Sequence, residues 1–383
     1  MTVVEQVFYL IRNEIEGTPL PDNVEYDIKR IYALLSRHDL AHLAGDALFR
    51  NNLLPKSRIA DAFKRRMISA VYRFERQKVE FEKVKKAFEI AKIPYIPLKG
   101  AVIRKFYPKP WMRTSCDIDI LVKKEDFFRA AEYLTETLGY KREKYFPQDV
   151  SFYSESKVHI ELHHSLINEN NLEGVDKILS SVWEYAEPCD NGFEYRLTDE
   201  MFYFYHIAHM AKHFKNGGCG IRPFIDLWIL NNNSEFNKNT LNKENLLGKS
   251  CLVKFADACE SLSEVWLKDK ENNEITLLLQ RYIMCGGVYG NLHNRASVSE
   301  GTRKKRTLVS YLWKPYRELK FWYPGLSKHK WLLPFYEAKR WFTIIFGGAL
   351  AHKIREKRIL NSMEKEKLDI ADRLILELGL KQN

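Results

Sequence analysis

Apolar residues recur at helical spacing from the start of the chain: Val3, Val4, Val7, Leu10 and Ile11, then Ile28, Tyr32 and Leu35, then Leu40, Leu43 and Leu48. The pattern predicts a series of amphipathic helices. Ser57 to Ile90 holds neither Gly nor Pro and sets Phe63, Met67, Val71, Phe74, Val79 and Phe81 among charged residues. One long helix, broken at most once, is expected there. The texture changes at Ile93-Pro94-Tyr95-Ile96-Pro97-Leu98, an extended piece whose prolines suit a sheet edge or strand ends. Lys99-Gly100-Ala101 opens a short helix that stops at Pro108 and Pro110, and Asp117 to Val122 reads as a strand. Glu125 to Leu138 reads as an amphipathic helix closed by Gly139. Tyr140 to Tyr145, Val150 to Ser154 and Val158 to Leu162 read as strands, and helical periodicity returns from Thr198 to about Leu292. This order predicts an α+β protein: helices over 1–90, a small α/β unit with a mixed sheet over 91–170, a helical domain over 171–294 and a helical C-terminal region over 295–383.

Alternation within a strand places residues i and i+2 on one face. Asp117 and Asp119 therefore point together, while Ile118, Ile120 and Val122 turn toward a core. The later strand repeats the device, with His159, Glu161 and His163 on one face and Val158, Ile160 and Leu162 on the other. If the two strands are neighbours, three carboxylates converge. Such charges repel one another unless a hard cation lies between them, and oxygen donors favour Mg²⁺ with room left for substrate phosphates. Two ions about 3.5–4 Å apart can clamp the attacking and leaving oxygens of an in-line phosphoryl displacement. Lys99-Gly100-Ala101 puts backbone N–H groups at a helix start, an arrangement suited to an anion. Taken singly, D-x-D also describes a solvated strand end and the glycine an ordinary tight turn.

Together these residues resemble the nucleotidyltransferase superfamily that includes DNA polymerase beta and the aminoglycoside nucleotidyltransferases. More closely, Leu98-Lys-Gly-Ala101, Tyr107-Pro108, Arg113, Asp117-Ile-Asp-Ile-Leu-Val122, Gly139-Tyr140 and Ile160-Glu-Leu-His163 are similar to a bacterial family of uncharacterised nucleotidyltransferases. So are His206-x-x-His209 and Gly220-Ile-Arg-Pro-Phe-Ile-Asp226, and the resemblance spans roughly residues 30 to 290. It implies a small mixed-sheet nucleotidyltransferase core embedded in N- and C-terminal helical domains. It further implies Mg²⁺-dependent transfer of NMP from an NTP, ATP first among them, to a hydroxyl or phosphate acceptor, with release of pyrophosphate. Asp117, Asp119 and Glu161 become the catalytic ligands of two Mg²⁺ ions, for which Mn²⁺ can substitute, and Glu161 also the base or base-positioner for the attacking hydroxyl. Lys99, Gly100, Ala101 and Arg113 become the nucleotide-binding residues. The wider superfamily usually carries Ser after this glycine; Ala101 offers no hydroxyl, leaving backbone N–H groups with Lys99 and Arg113 to hold the triphosphate.

Other side chains admit two readings each. His206, His209 and His213 fall on one helical stripe that could bind zinc, but no Cys or H-E-x-x-H accompanies them and aromatics surround them, so packing or pocket-lining roles are expected. His159 and His163 flank Glu161 and are candidate substrate contacts, with His164 turned away as a structural residue. Arg222 and Asp226 stand at i, i+4, the spacing of a surface pair. The resemblance instead sets them, with His209, beside a substrate cleft.

A hydrophobic fraction of 45% with 13% aromatics excludes wholesale disorder. The formal charge is +11, and Arg295 to Arg358 alone carries 16 basic against 4 acidic residues. Between Tyr311 and Phe346 there are 12 aromatics in 36 residues. A helical appendage packed on the body is one reading of this segment. An anionic membrane surface held by residues 311–353 is another; stacking on nucleic acid is the less expected, as is an acidic protein partner. The six cysteines form no C-x-x-C pair, no signal peptide is read at Met1-Thr-Val-Val, and no apolar run reaches the ~20 residues of a membrane span. A cytoplasmic protein, peripheral to a membrane at most, is the expectation. Two rival functions stand beside nucleotidyl transfer: an inactive nucleotide-binding or antitoxin-like module, favoured by Ala101, and a D-x-D glycosyltransferase, which requires a βαβ unit ahead of Asp117.

Overall fold

The computed structural model describes residues 1–145, 149–167, 173–190, 192–215, 217–236, 245–288, 329–346 and 373–380. Four helices open the chain: α1 Val3–Glu16, α2 Ile28–Arg37, α3 Ala41–Arg50 and α4 Arg58–Ile90. A reciprocal pair of bonds between Thr2 and Glu5 caps α1, and the Ser57 side chain accepts from Ala60 N to start α4. With no Gly or Pro to interrupt it, α4 runs unbroken for 33 residues, about 50 Å at 1.5 Å per residue. Its buried stripe includes Phe63, Ala70, Gln77, Glu80, Val84 and Phe88. Phe63 joins the large helical core, whereas Val84 and Phe88 join the core beneath the sheet. One helix thus carries both.

The sheet follows as β1 Tyr95–Pro97, β2 Asp117–Val122, β3 Lys141–Tyr145, β4 Asp149–Tyr153 and β5 His159–His163. The short α5 Gly100–Ile103 lies between β1 and β2, and α6 Phe127–Glu132 follows β2. The spatial order is β1-β2-β5-β4-β3, with β2 and β5 parallel and the remaining pairs antiparallel. The expected mixed sheet is present. The helix read over 125–138 is shorter: α6 gives way to a single wide π turn over Tyr133–Thr137. Gly139 then ends the segment at φ +66°, a backbone few residues other than glycine adopt. The inward rows Ile118, Ile120, Val122 and Val158, Ile160, Leu162 pack with α4 and α6 into one apolar cluster.

Beyond the sheet come α7 Glu173–Leu179, the two-stranded β6 Ala186–Pro188 and β7 Tyr195–Leu197, then α8 Asp199–Lys215, α9 Arg222–Asn232, α10 Leu246–Lys249, α11 Val253–Lys268 and α12 Glu274–Met284. Their apolar faces merge with α1–α3 in a second cluster, to which Leu374, Ile375, Leu378 and Leu380 also belong. A further helix, α13 Leu333–Phe346, follows a 3-10 turn at Lys330–Leu332. Most of the basic, aromatic segment lies outside the described residues, as does the polar stretch 237–242. Among the described residues no helix is long and apolar enough to cross a membrane.

Candidate functional site

The parallel register of β2 on β5 sets Asp117 opposite His159 and Asp119 opposite Glu161. Because both strands turn their apolar residues the other way, these four side chains and His163 emerge on one face. Donor atoms of Asp117, His159 and Glu161 lie within 4.8 Å of one another, and so do those of Asp119, Glu161 and His163. Glu161 belongs to both groups, so each aspartate has it as a near neighbour. The convergence expected from alternation is realised. His163 donates through Nε2 to Asp119 Oδ1 at 2.9 Å, and its Nε2 stands 3.6 Å from Glu161 Oε2. His159 stacks on Tyr153 at 4.8 Å between ring centres, with Nε2 3.9 Å from Glu161 Oε1. His164 turns away and meets Phe127 edge-on at 4.6 Å.

The turn from β1 into α5 brings a cation to the acids. Leu98 N donates to Asp119 O at 3.0 Å, which lays the turn across β2. Lys99 then adopts φ +45°, ψ −119°, a conformation that costs a non-glycine residue on the order of 1–3 kcal/mol. Its Nζ donates to Asp119 Oδ1 at 2.8 Å. Gly100 is closely fitted: a Cβ there would stand 3.2 Å from both Cβ and Oγ of Ser115. The Ser115 hydroxyl in turn donates to the Asp117 carboxylate at 2.9 Å. Of the N–H groups expected to face an anion, that of Ala101 is bonded to Leu98 O at 3.2 Å. Ala101 packs its methyl against the sheet core, and only Lys99 and Gly100 of this turn line the adjoining cavity.

That cavity, about 330 Å³, runs from the acids to α8 and α9. Arg222 and Asp226 both line it, yet they do not pair with each other as their spacing suggests. Arg222 donates through Nη2 to Asp39 Oδ2 at 3.0 Å. Asp226, fully buried, accepts from Arg113 Nε at 2.7 Å and from Tyr107 OH at 2.6 Å. Arg113 is thus oriented by Asp226, with Nη1 on Thr114 O at 2.6 Å. On α8, His206 meets Pro223 O at 2.9 Å, while His209 and His213 share one hydrogen bond of 3.1 Å between their Nε2 atoms. All three line the cavity, and among the described residues they do not group as metal ligands.

Sequence reasoning missed several residues that hold the site in place. Gln77 of α4 donates to Ser115 O at 3.1 Å, just ahead of Asp117, and accepts from Arg104 at 2.9 Å. Asp39 anchors Arg73, Arg222 and Thr114. His38 lines the cavity wall near Gly220. Their partners lie dozens to hundreds of residues away, and no local pattern announces them.

Electrostatics divide the acids. Burial works to raise Asp119, but the Lys99 ammonium and then His163 outweigh it and hold the carboxyl well below its usual range. Glu161 is pushed up to about 7, first by burial and then by the charges of Asp119 and Asp117. Burial lowers Lys99, while Asp119 and its neighbours raise it further, so it stays charged. Negative charge therefore accumulates at Glu161 beyond what Lys99 offsets. An oxygen-rich donor set with uncompensated charge fits a hard divalent cation.

More than half of the chain, residues 25–251, matches the model of the family described as uncharacterised nucleotidyltransferase. The chain belongs to that nucleotidyltransferase family. Among solved structures it is similar to the solution structure of the antibiotic-resistance factor ANT(2'')-Ia, at 11% identity and a TM-score of 0.27, over 51% of this chain and 91% of that one. No curated protein matches it.

Proposed function

We propose that the protein is a Mg²⁺-dependent nucleotidyltransferase that moves NMP from an NTP, ATP first among them, to a hydroxyl or phosphate acceptor and releases pyrophosphate. The observation that carries this reading is the meeting of Asp117, Asp119 and Glu161 on one face of neighbouring strands, beside a cavity whose walls also bear Lys99, Arg113 and Arg222. Asp117, Asp119 and Glu161 would hold the Mg²⁺ ions, which when bound offset charge on the phosphoryl oxygens. Lys99 exchanges Asp119 for a phosphate oxygen, and Gly100 lines the cavity beside it. Arg113, kept in orientation by Asp226, supplies positive charge along the same wall. His159, His163, His209 and Arg222 border the substrates. Glu161, which lines the cavity beside the aspartates, receives the acceptor's proton. We also propose that residues 311–353 attach the enzyme peripherally to an anionic membrane surface.

The rival readings have less behind them. The inactive module was favoured by Ala101, whose side chain packs on the sheet core where a hydroxyl would serve no phosphate. A glycosyltransferase of the D-x-D kind needs a βαβ unit before Asp117, and here helices and the antiparallel β1 precede it.

Incubation with each α-labelled NTP, Mg²⁺ or Mn²⁺ and a cell lysate tests the proposal. Wild type is expected to transfer label, with Asp117→Asn and Asp119→Asn reduced by about 100-fold or more, as for groups that stabilise transition-state charge. Equal labelling by wild type and variants, or tight NTP binding with no transfer, would sink it.

A further inference from the structure

Two cavities meet at the acidic cluster. The larger, about 330 Å³, is lined by Asp117 and Asp119 and extends to Arg113 and Arg222. The smaller, about 100 Å³, lies on the other side, without Asp117 or Asp119 but with Asp149 and His163 in its wall. Lys99, Glu161, Tyr205, His209 and Lys212 line both and form the wall they share. A transfer between two substrates needs such an arrangement: each substrate in its own chamber, with the reacting atoms meeting at the common wall. The aspartates and arginines assign nucleotide and cations to the larger chamber. The other substrate is left with the smaller one.

The walls and size of that chamber restrict what enters. Leu179 and Ala208 are buried apolar side chains along it, Ser165 adds a hydroxyl, and Ile167, 41% exposed, stands at its mouth. At about 100 Å³ the chamber is smaller than the ~150 Å³ cavity that benzene occupies, so it favours a short carbon arm over an aromatic ring. Resting on the nucleotidyl-transfer reading, we propose that the smaller cavity is the acceptor subsite and that it takes a short aliphatic alcohol, about two to four carbons long, borne on a body that remains outside past Ile167. The alcohol oxygen forms the new bond to the α-phosphorus, and pyrophosphate leaves with the electrons of the broken bridging P–O bond. The hydroxyl proton passes to the Glu161 carboxylate on the shared wall. A serine or threonine side chain and a glycerol-like small molecule both offer this arm.

The full chain is given α-labelled ATP, Mg²⁺ and, at equal concentration, N-acetylserinamide, N-acetylthreoninamide, glycerol or N-acetyltyrosinamide, and AMP esters are separated from free AMP. The aliphatic alcohols are expected to form esters at least about tenfold faster than the tyrosine compound. Faster reaction of the two amides than of glycerol assigns the arm to a peptide, and the reverse to a small polyol. Ala208→Leu, which fills the chamber, is expected to lower ester formation about tenfold while the dissociation constant of Mg-ATP moves less than about twofold. Ile167→Ala, at an exposed position that folding tolerates, is expected to shift preference toward the tyrosine compound. Equal or faster labelling of tyrosine by wild type, or Mg-ATP binding weakened as much as ester formation in Ala208→Leu, overturns the assignment. So does release of AMP and pyrophosphate with no ester from any alcohol, which leaves nucleotidyl transfer standing. If wild type releases no more AMP than Asp117→Asn, the failure lies with nucleotidyl transfer itself.

Discussion

A single methyl group measures how tightly the turn before α5 is fitted to the acids. Added at Gly100, it would press at 3.2 Å on the side chain that donates to Asp117. Crowding of this kind costs about 1–3 kcal/mol, and alanine's better helix propensity returns about 1 kcal/mol, so thermal unfolding of Gly100→Ala should change little. Transfer should fall about tenfold, because Ser115 can yield only by moving Asp117, and Ser115→Ala should fall by a similar factor. Label transfer and thermal melts on the two variants decide. Full activity in Gly100→Ala would separate Ser115 from the positioning of Asp117. At this scale the acids were legible because strand alternation is local: knowing that residues 117–122 and 159–163 are strands fixes which side chains share a face. Ser115 and Gln77 were not legible. The Gln77 bond to Ser115 O closes a separation of 38 residues, and it depends on where α4 crosses the sheet.

Helix α9 teaches the opposite lesson about local spacing. Arg222 and Asp226 satisfy the i, i+4 rule for a surface pair, but both point inward, and a buried charge takes whichever partner the neighbouring element presents. Arg222 reaches Asp39, between α2 and α3, and Asp226 reaches Arg113 and Tyr107, ahead of β2. The helix therefore ties the N-terminal helices to the sheet along one wall of the cavity. Removing Asp226 strands the buried Arg113 guanidinium, and breaking such a pair from one side costs about 3–5 kcal/mol. Asp226→Ala is expected to lose that much in denaturant unfolding. Asp226→Ala with Arg113→Met should lose less than the single change, since no orphan charge remains. A single-variant cost below about 1 kcal/mol would mean the pair behaves as an exposed one and does not brace α9.

On the scale of the whole molecule, sequence texture separated the helices from the five-stranded sheet because the two periods, 3.6 and 2, differ so plainly, but it missed the short β6–β7 pair within the region read as helical. It gave no hint that residues 374–380 return to the helical core beside α11, since four apolar side chains near the C-terminus carry no address. That return bears on how the basic, aromatic segment is to be tested. Ending the chain near Asn294 would remove Leu374, Ile375, Leu378 and Leu380 from a packed interior, where deleting one large side chain already costs about 2–5 kcal/mol. Point changes on the surface are the cleaner probe. Trp331, Phe335 and Phe342 are 76%, 63% and 64% exposed, and Phe335 and Phe342 lie seven residues apart on one side of α13. Lys330, Lys339 and Arg340 accompany them. Exposed aromatics beside a cationic surplus match an anionic bilayer, where each Lys or Arg near the surface contributes about 1 kcal/mol and rings enter the headgroup region. The full-length protein should float with vesicles containing phosphatidylserine and stay behind with phosphatidylcholine alone. Trp331→Ser, Phe335→Ser and Phe342→Ser together should cut flotation several-fold, and raised salt should weaken what remains. If the triple variant floats as well as wild type, these rings do not touch lipid; if wild type ignores the anionic vesicles, the surplus charge of residues 311–353 serves something other than a membrane.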